Sequence, residues 1–279
     1  MMQRTIIITG ASSGFGYHTA LKCAEKGFHV IATMRNMSKA EVFKTDRISS
    51  VIRERIEVWP LDVTDDISIE DFKQKLKQLN RVDVLVNNAG FAIGGFLEQV
   101  PIEAYRRQFE TNVIGVISAT QAVLPMMRKQ GHGKIINVSS ISGRIGFPGL
   151  SAYVSSKHAL EGLTESLRFE VKPFGIDVVL IEPGSYQTNI WTSGMELPKA
   201  VHDPDSPYAY YIRGLWKALN SESHGAPAKV ADLMTRIASK SQVRKLRYPI
   251  GPGVRLNLFL KKAVPWPFLE RTVLKKLLK

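Results

Sequence analysis

Short runs of β-branched and aliphatic residues recur along this chain, and each is followed by a longer stretch with helical periodicity. That alternation restricts the fold more than any other feature. The runs are TIIIT (5–9), FHVIAT (28–33), IEVWPL (56–61), VDVLVN (82–87), KIINVS (134–139) and IDVVLIE (176–182). The intervening stretches 14–26, 39–54, 67–79, 103–129 and 152–174 read as helices. Strands that alternate with helices in this way form βαβ units on a parallel sheet. VDVLVN and IDVVLIE lack polar alternation, as strands covered on both faces do. The expectation is an α/β chain with a doubly wound parallel sheet of about seven strands and helices on both faces. The seventh strand is read near LRYPI (246–250).

The 279 residues suffice for one α/β domain, and no repeat or low-complexity linker divides them. Residues 1–279 are therefore read as one domain, with a substrate-binding flap at about 185–240 and a basic carboxy-terminal extension at about 251–279. Cys23 is the only cysteine, which excludes an intrachain disulfide and a cysteine metal cluster and fits a reducing, cytoplasmic setting. The six histidines have no metal-ligand spacing, and no metal is expected. The apolar run near the amino terminus is too short for a signal peptide or a spanning helix.

Directly after the first run comes TGASSGFG, with Gly10, Gly14 and Gly16 opening a helix. Glycines there permit a tight turn and let a pyrophosphate reach the helix amino terminus, where unpaired N–H groups and the helix dipole favour negative charge. A turn glycine without a ligand is the alternative reading of any one of them. At the end of the second run stands ATMRN, with Arg35 where a dinucleotide's adenosine ribose would lie. A guanidinium pairs with a 2′-phosphate, whereas an acid would repel it, so NADP(H) is preferred to NAD(H). A surface loop arginine is the plainer alternative.

SAYVSSKHA (151–159) sets Tyr153 four residues before Lys157, one helical turn apart on one face. A free phenol has a pKa near 10, and a neighbouring ammonium stabilises the phenolate and lowers it. Amphipathic helices also contain such pairs by chance. This pair is accompanied by LDVT (61–64), NNAG (87–90), TNVIG (111–115), Ser140 and IEPG (181–184). In order and spacing, together with TGASSGFG, these motifs resemble the short-chain dehydrogenase/reductase family over about residues 4–190.

The resemblance implies a Rossmann-type fold and hydride transfer between a nicotinamide and a carbonyl/alcohol pair. It implies Tyr153 as general acid or base, Ser140 as a hydrogen bond to the same oxygen, and Lys157 as the ribose ligand that lowers the tyrosine pKa. Asn112 is implied as the holder of a relay water. It also implies cofactor contacts from Gly10, Ser12, Ser13, Phe15 and Gly16 at the phosphates and from Arg35 at the 2′-phosphate. Asp62 and Val63 would meet adenine, Asn88, Ala89 and Gly90 the ribose, and Pro183, Gly184 and Thr188 the nicotinamide. The branch similarity is to 17β-hydroxysteroid and retinol dehydrogenases and to uncharacterised bacterial oxidoreductases, which suggests a lipophilic substrate. A homo-oligomer, dimer or tetramer, is expected from the family. A non-catalytic, dinucleotide-sensing binding protein is the other function compatible with the loop.

Tyr186, Trp191, Tyr208, Tyr210, Tyr211 and Trp216 crowd the 185–240 segment. They would either wall an apolar pocket or pack the flap onto the domain. The net charge is +13, of which +9 falls in residues 241–279, where ten Lys or Arg face the single acid Glu270. No nucleic-acid-binding signature accompanies this charge, so nucleic acid is not an expected partner. The spacing of Leu269, Val273 and Leu277 instead makes an amphipathic basic helix, suited to peripheral membrane contact or to packing on protein.

Overall fold

The computed structural model describes residues 3–186, 188, 190, 194–212 and 224–277. The chain opens with β1 (Thr5–Ile8), α1 (Gly14–Glu25) and β2 (His29–Met34), followed by α2 (Ser50–Arg53), β3 (Ile56–Pro60), α3 (Asp66–Leu76) and β4 (Val84–Asn87). The short β5 (Ala92–Ile93) leads to α4 (Ile102–Phe109), α5 (Gly115–Gln130), β6 (Gly133–Val138), α6 (Ser151–Val171) and β7 (Ile176–Pro183). Beyond β8 (Met195–Glu196) come α7 (Pro227–Ser239), β9 (Arg247–Ile250), α8 (Val254–Ala263) and α9 (Trp266–Leu277).

Seven strands form one sheet in the order β3-β2-β1-β4-β6-β7-β9, with every pairing parallel. All eight residues of β7 and all four of β1 and β4 are buried, because helices cover both faces. The two-residue period of the strands distributes them between two cores. Ile6, Ile8, Val30 and Val86 pack with Ala20 and Cys23 of α1 and Met234 of α7. Ile7, Ile31, Leu85 and Val178 pack with Phe72 of α3, Met127 of α5 and Leu167 of α6.

The chain reverses its winding direction between β1 and β4, which leaves a crevice outside the carboxyl ends of these strands. A buried amide chain fixes the helices beside it. Asn87 Nδ2 donates to Thr120 Oγ1 of α5 at 3.0 Å and to Asn137 Oδ1 at 2.8 Å, and Asn137 Nδ2 donates to Thr164 Oγ1 of α6 at 2.9 Å. Such bonds offset part of the cost of burying these amides, with Asn87 Oδ1 left buried without a partner, and tie α6 to the sheet.

Three expectations change. The helix read over 39–54 is a 3₁₀ segment, Met37–Phe43, and the four-residue α2, separated by polar residues such as Thr45, Asp46 and Ser49 that favour turns over helix. The helix read over 103–129 is broken by one π turn, Glu110–Ile114. Within the 185–240 segment, α7 packs into the core against α1, so it belongs to the helical layer and not to a flap.

Candidate active site

The loop after β1 has to turn sharply and meet the loop after β4. Gly10 has φ +65°, and a Cβ there would lie 2.8 Å from Ala89 Cα. A Cβ on Gly16 would lie 2.6 Å from both Gly10 O and Asn88 Nδ2, so this position admits glycine alone without backbone movement. Thr9 and Asn88 lock the two loops together. Thr9 Oγ1 accepts from the N–H groups of Asn88 and Ala89 at 3.0 Å, while Asn88 Nδ2 donates to Thr9 O at 2.9 Å and Gly10 O at 3.0 Å.

Ser13 caps α1 without a side-chain hydrogen bond, and no acid occupies the first turn. The amino-terminal N–H groups thus face the crevice with their partial positive charge uncompensated by a carboxylate, as an anion site requires. Arg35 stands at the same end. Its side chain is 80% exposed, with Nε 3.9 Å from Asp62 Oδ2, a long contact in solvent that leaves the guanidinium able to pair with a stronger anion. Backbone cradle, hydroxyls and guanidinium together suit a phosphorylated dinucleotide.

One cleft of about 620 Å³ runs from this loop to the amino-terminal part of α6. Gly10, Ser12, Ser13, Phe15, Arg35, Asp62 and Val63 line one end, and Ser140, Tyr153 and Lys157 line the other. Asn88, Ala89 and Gly90 lie along its length, with Pro183, Gly184 and Thr188. Gly16 and Asn112 are not on its wall. Gly16 is the close-packing point beneath the loop, and Asn112 is a buried strut. The π turn brings Asn112 inward, where Oδ1 accepts from Phe91 N at 3.2 Å and Nδ2 donates to Phe91 O at 3.2 Å and Ser156 Oγ at 3.1 Å.

Tyr153 and Lys157 lie on the buried face of α6, as their four-residue spacing requires. The Lys157 ammonium sits over the Tyr153 ring, 5.7 Å from its centroid, and donates to Val138 O at 2.8 Å. Burial pushes the Tyr153 phenol up to about 12, with a hydrogen bond to Ser140 acting in the opposite direction. The resemblance implies a lowering of this pKa by Lys157, and burial acts in the opposite sense. Burial also draws Lys157 down to about 8, partly offset by the charge of Glu161 one turn further along α6.

Behind the lysine lies a buried charge cluster that the sequence did not disclose. Arg247 Nε reaches Glu161 Oε2 at 2.9 Å and Glu182 Oε1 at 3.2 Å, and Arg144 Nη1 reaches Glu182 Oε1 at 3.1 Å. Glu161 Oε1 and Glu182 Oε2 are buried without a hydrogen-bond partner. Burial first, and then the neighbouring Glu161, raise Glu182 to about 7. The cluster joins the segment after Ser140, the helix of Tyr153 and the strand that ends at Pro183. At the mouth, Arg107 of α4 pairs with Glu196 of β8 at 2.9 Å, and both line the cleft. Only proximity in the fold identifies these residues, because they belong to no local motif.

Among the described residues, the flap aromatics do not wall the cleft. Tyr186 is buried and meets Phe15 edge-on at 5.5 Å, while Tyr208 stacks on Phe96 at 4.8 Å and donates to Glu98 Oε2 at 2.8 Å. Tyr211 meets the same Phe96 ring edge-on at 6.0 Å, and Tyr210 is largely exposed. Trp191 and Trp216 lie outside the described residues. Among those described, the aromatics fasten the segment to the domain.

The short-chain dehydrogenase family model matches residues 4–196, the part that carries six of the seven sheet strands, the loop and the α6 pair. The chain belongs to this family. It is 49% identical over 279 residues to the uncharacterised oxidoreductase YusZ of Bacillus subtilis, covering 99% of each chain. It is 37% identical to a 3-ketodihydrosphingosine reductase of Bacteroides thetaiotaomicron, covering 94% of this chain and 92% of that one. Among solved structures, a short-chain dehydrogenase from Streptomyces avermitilis superposes with a TM-score of 0.80 at 33% identity, covering 98% of both chains. ElxO with NADP bound superposes with a TM-score of 0.76 at 27% identity, covering 91% of this chain and all of that one. The protein is thus a short-chain dehydrogenase/reductase of the oxidoreductase class, with a Rossmann-type sheet.

Proposed function

We propose that this short-chain dehydrogenase uses NADP(H) and reduces a lipophilic ketone or aldehyde to the alcohol, with Tyr153 as general acid. One observation carries the reading: the buried Ser140–Tyr153–Lys157 group and the glycine loop with Arg35 share the walls of a single cleft. When bound, NADPH supplies the hydride. The chain's own groups supply position and a proton.

With its pKa near 12, Tyr153 holds its proton at neutral pH and is set to give it to the oxygen of a carbonyl lodged beside it. Ser140 hydrogen-bonds that same oxygen. The Lys157 ammonium binds the nicotinamide ribose and opposes the negative charge left on the phenol oxygen after proton transfer, which lowers a barrier that burial alone would raise. Asn112 fixes the Phe91 backbone on both its polar sides and is the proposed anchor of a water between Lys157 and solvent. Arg35 selects the 2′-phosphate, and the NADP bound to ElxO is consistent with that choice. The lipid ketone named in the 3-ketodihydrosphingosine reductase supports the substrate class.

Deuteride transfer tests the reaction. NADPH carrying deuterium at both positions of the nicotinamide C4 should leave one label on the carbinol carbon of the product. Product formed with no label there would refute direct transfer.

A further inference from the structure

Helices of soluble domains bury their apolar stripe, and α8 does the reverse. Val254 is its buried anchor and Leu258 is partly covered, yet Leu256 and Phe259 are 60% and 65% exposed. With Leu260 and Ala263, also exposed, they follow the i, i+3, i+4, i+7 spacing of a single helical face, on the side opposite Val254. Arg255 and Lys262 flank this stripe one turn pair apart. The following α9 is also exposed, with Trp266 and Phe268 67% and 61% exposed and Val273 and Leu274 open to solvent among the cations Arg271 and Lys275.

An exposed apolar face of this kind needs an occupant, and charge selects among the candidates. A symmetric contact between two copies would set this patch against itself, and residues 241–279 carry +9 with Glu270 as their only acid. Nucleic acid would satisfy the charge but not the leucine, phenylalanine and valine side chains. A bilayer with anionic headgroups satisfies both, because apolar side chains enter the acyl boundary while lysines and arginines meet the phosphates.

We propose that α8 and α9 form a docking surface for the face of an anionic lipid bilayer. The protein lies on the membrane through this surface and does not cross it, in keeping with the finding that among the described residues no helix is long and apolar enough to span. The surface is joined to the cleft. A Cβ on Gly184, a cleft residue, would meet Val254 Cγ2 at 2.5 Å, and Lys261 Nζ donates to the carbonyl of Arg144, four residues beyond Ser140. Docking therefore holds the domain that carries the cleft at the bilayer surface.

The test uses the full-length protein and sucrose-loaded vesicles of phosphatidylcholine alone or mixed with phosphatidylglycerol. It requires no turnover, so its outcome is independent of the proposed chemistry. The expected result is sedimentation with the anionic vesicles at low salt, weaker binding at high salt, and little binding to neutral vesicles. The double variant Leu256→Ser/Phe259→Ser should bind roughly tenfold more weakly, with unchanged circular dichroism and sedimentation coefficient. Lys262→Glu/Lys275→Glu should lose the preference for anionic lipid without loss of fold. Protein that stays in the supernatant with anionic vesicles at low salt would overturn the proposal. So would a serine variant that binds as tightly as the parent, or one that falls from an oligomer to a smaller species, because the face would then join copies of the chain.

Discussion

Burial shifts three ionisable groups at and behind the catalytic end of the cleft. Tyr153 is pushed up and Lys157 drawn down by loss of water, so the phenol holds its proton at neutral pH while the ammonium holds its own up to about pH 8. Glu182 is the third such group. Its carboxyl is raised from 4.5 to about 7, so an unfolded chain loses this proton first as pH rises. The stability that the bound proton supplies below pH 4.5 is therefore lost progressively up to about pH 7. Glu182→Gln, which keeps an acceptor for Arg144 and Arg247, removes that loss. In thermal melts, the melting temperature of the parent should fall relative to the variant between these two pH values, and parallel curves would contradict the assignment. Arg35→Asp should weaken NADPH binding by roughly tenfold or more and NADH binding far less, read by titration of each cofactor. Equal losses for both would remove Arg35 from the 2′-phosphate.

Among the elements, the loop from β1 to α1 tolerates little change. Gly16→Ala places a methyl 2.6 Å from Gly10 O and from Asn88 Nδ2, two partners held by the loop-to-loop bonds. The expected cost is about 1–3 kcal/mol in stability, together with a clear loss of dinucleotide affinity in a fluorescence titration. Wild-type affinity in that variant would mean that the loop tolerates displacement. This element was legible in the sequence because glycine spacing and strand-to-helix position are local signals. The strands were legible for the same reason, since runs such as IDVVLIE show burial on both faces directly. The π turn at 110–114 gave no such signal, because Glu-Thr-Asn-Val-Ile continues a helical pattern, and the extra backbone residue is stabilised by Asn112 bonding to Phe91 and Ser156. The Glu161–Glu182–Arg247 cluster was equally hidden. Its members come from α6, β7 and β9, and only the sheet order brings them together.

At the scale of the whole molecule, the switch in strand order between β1 and β4 makes the crevice, and a fastened segment adds Gly194 and Glu196 to its wall. That segment is held by the parallel β5–β8 pair, by Gln99 Nε2 donating to Ala200 O at 2.9 Å and by the Phe96–Tyr208 stack. Tyr208→Ala removes a contact worth about 0.5–1.5 kcal/mol. Limited proteolysis within 194–212 should then proceed roughly two- to tenfold faster, and an unchanged rate would place the fastening elsewhere. The proposed reaction requires coupling between the two ends of one cleft, with the dinucleotide at the glycine loop and proton transfer at Tyr153. The most direct test is NADPH oxidation at 340 nm with lipophilic ketones and aldehydes, comparing the parent with Tyr153→Phe. The expected result is turnover by the parent, a loss of at least about a hundredfold in the variant, and NADPH affinity that stays within about twofold. Equal turnover by Tyr153→Phe would contradict it, and tight NADPH binding without turnover of any carbonyl by the parent would favour a dinucleotide-sensing protein instead.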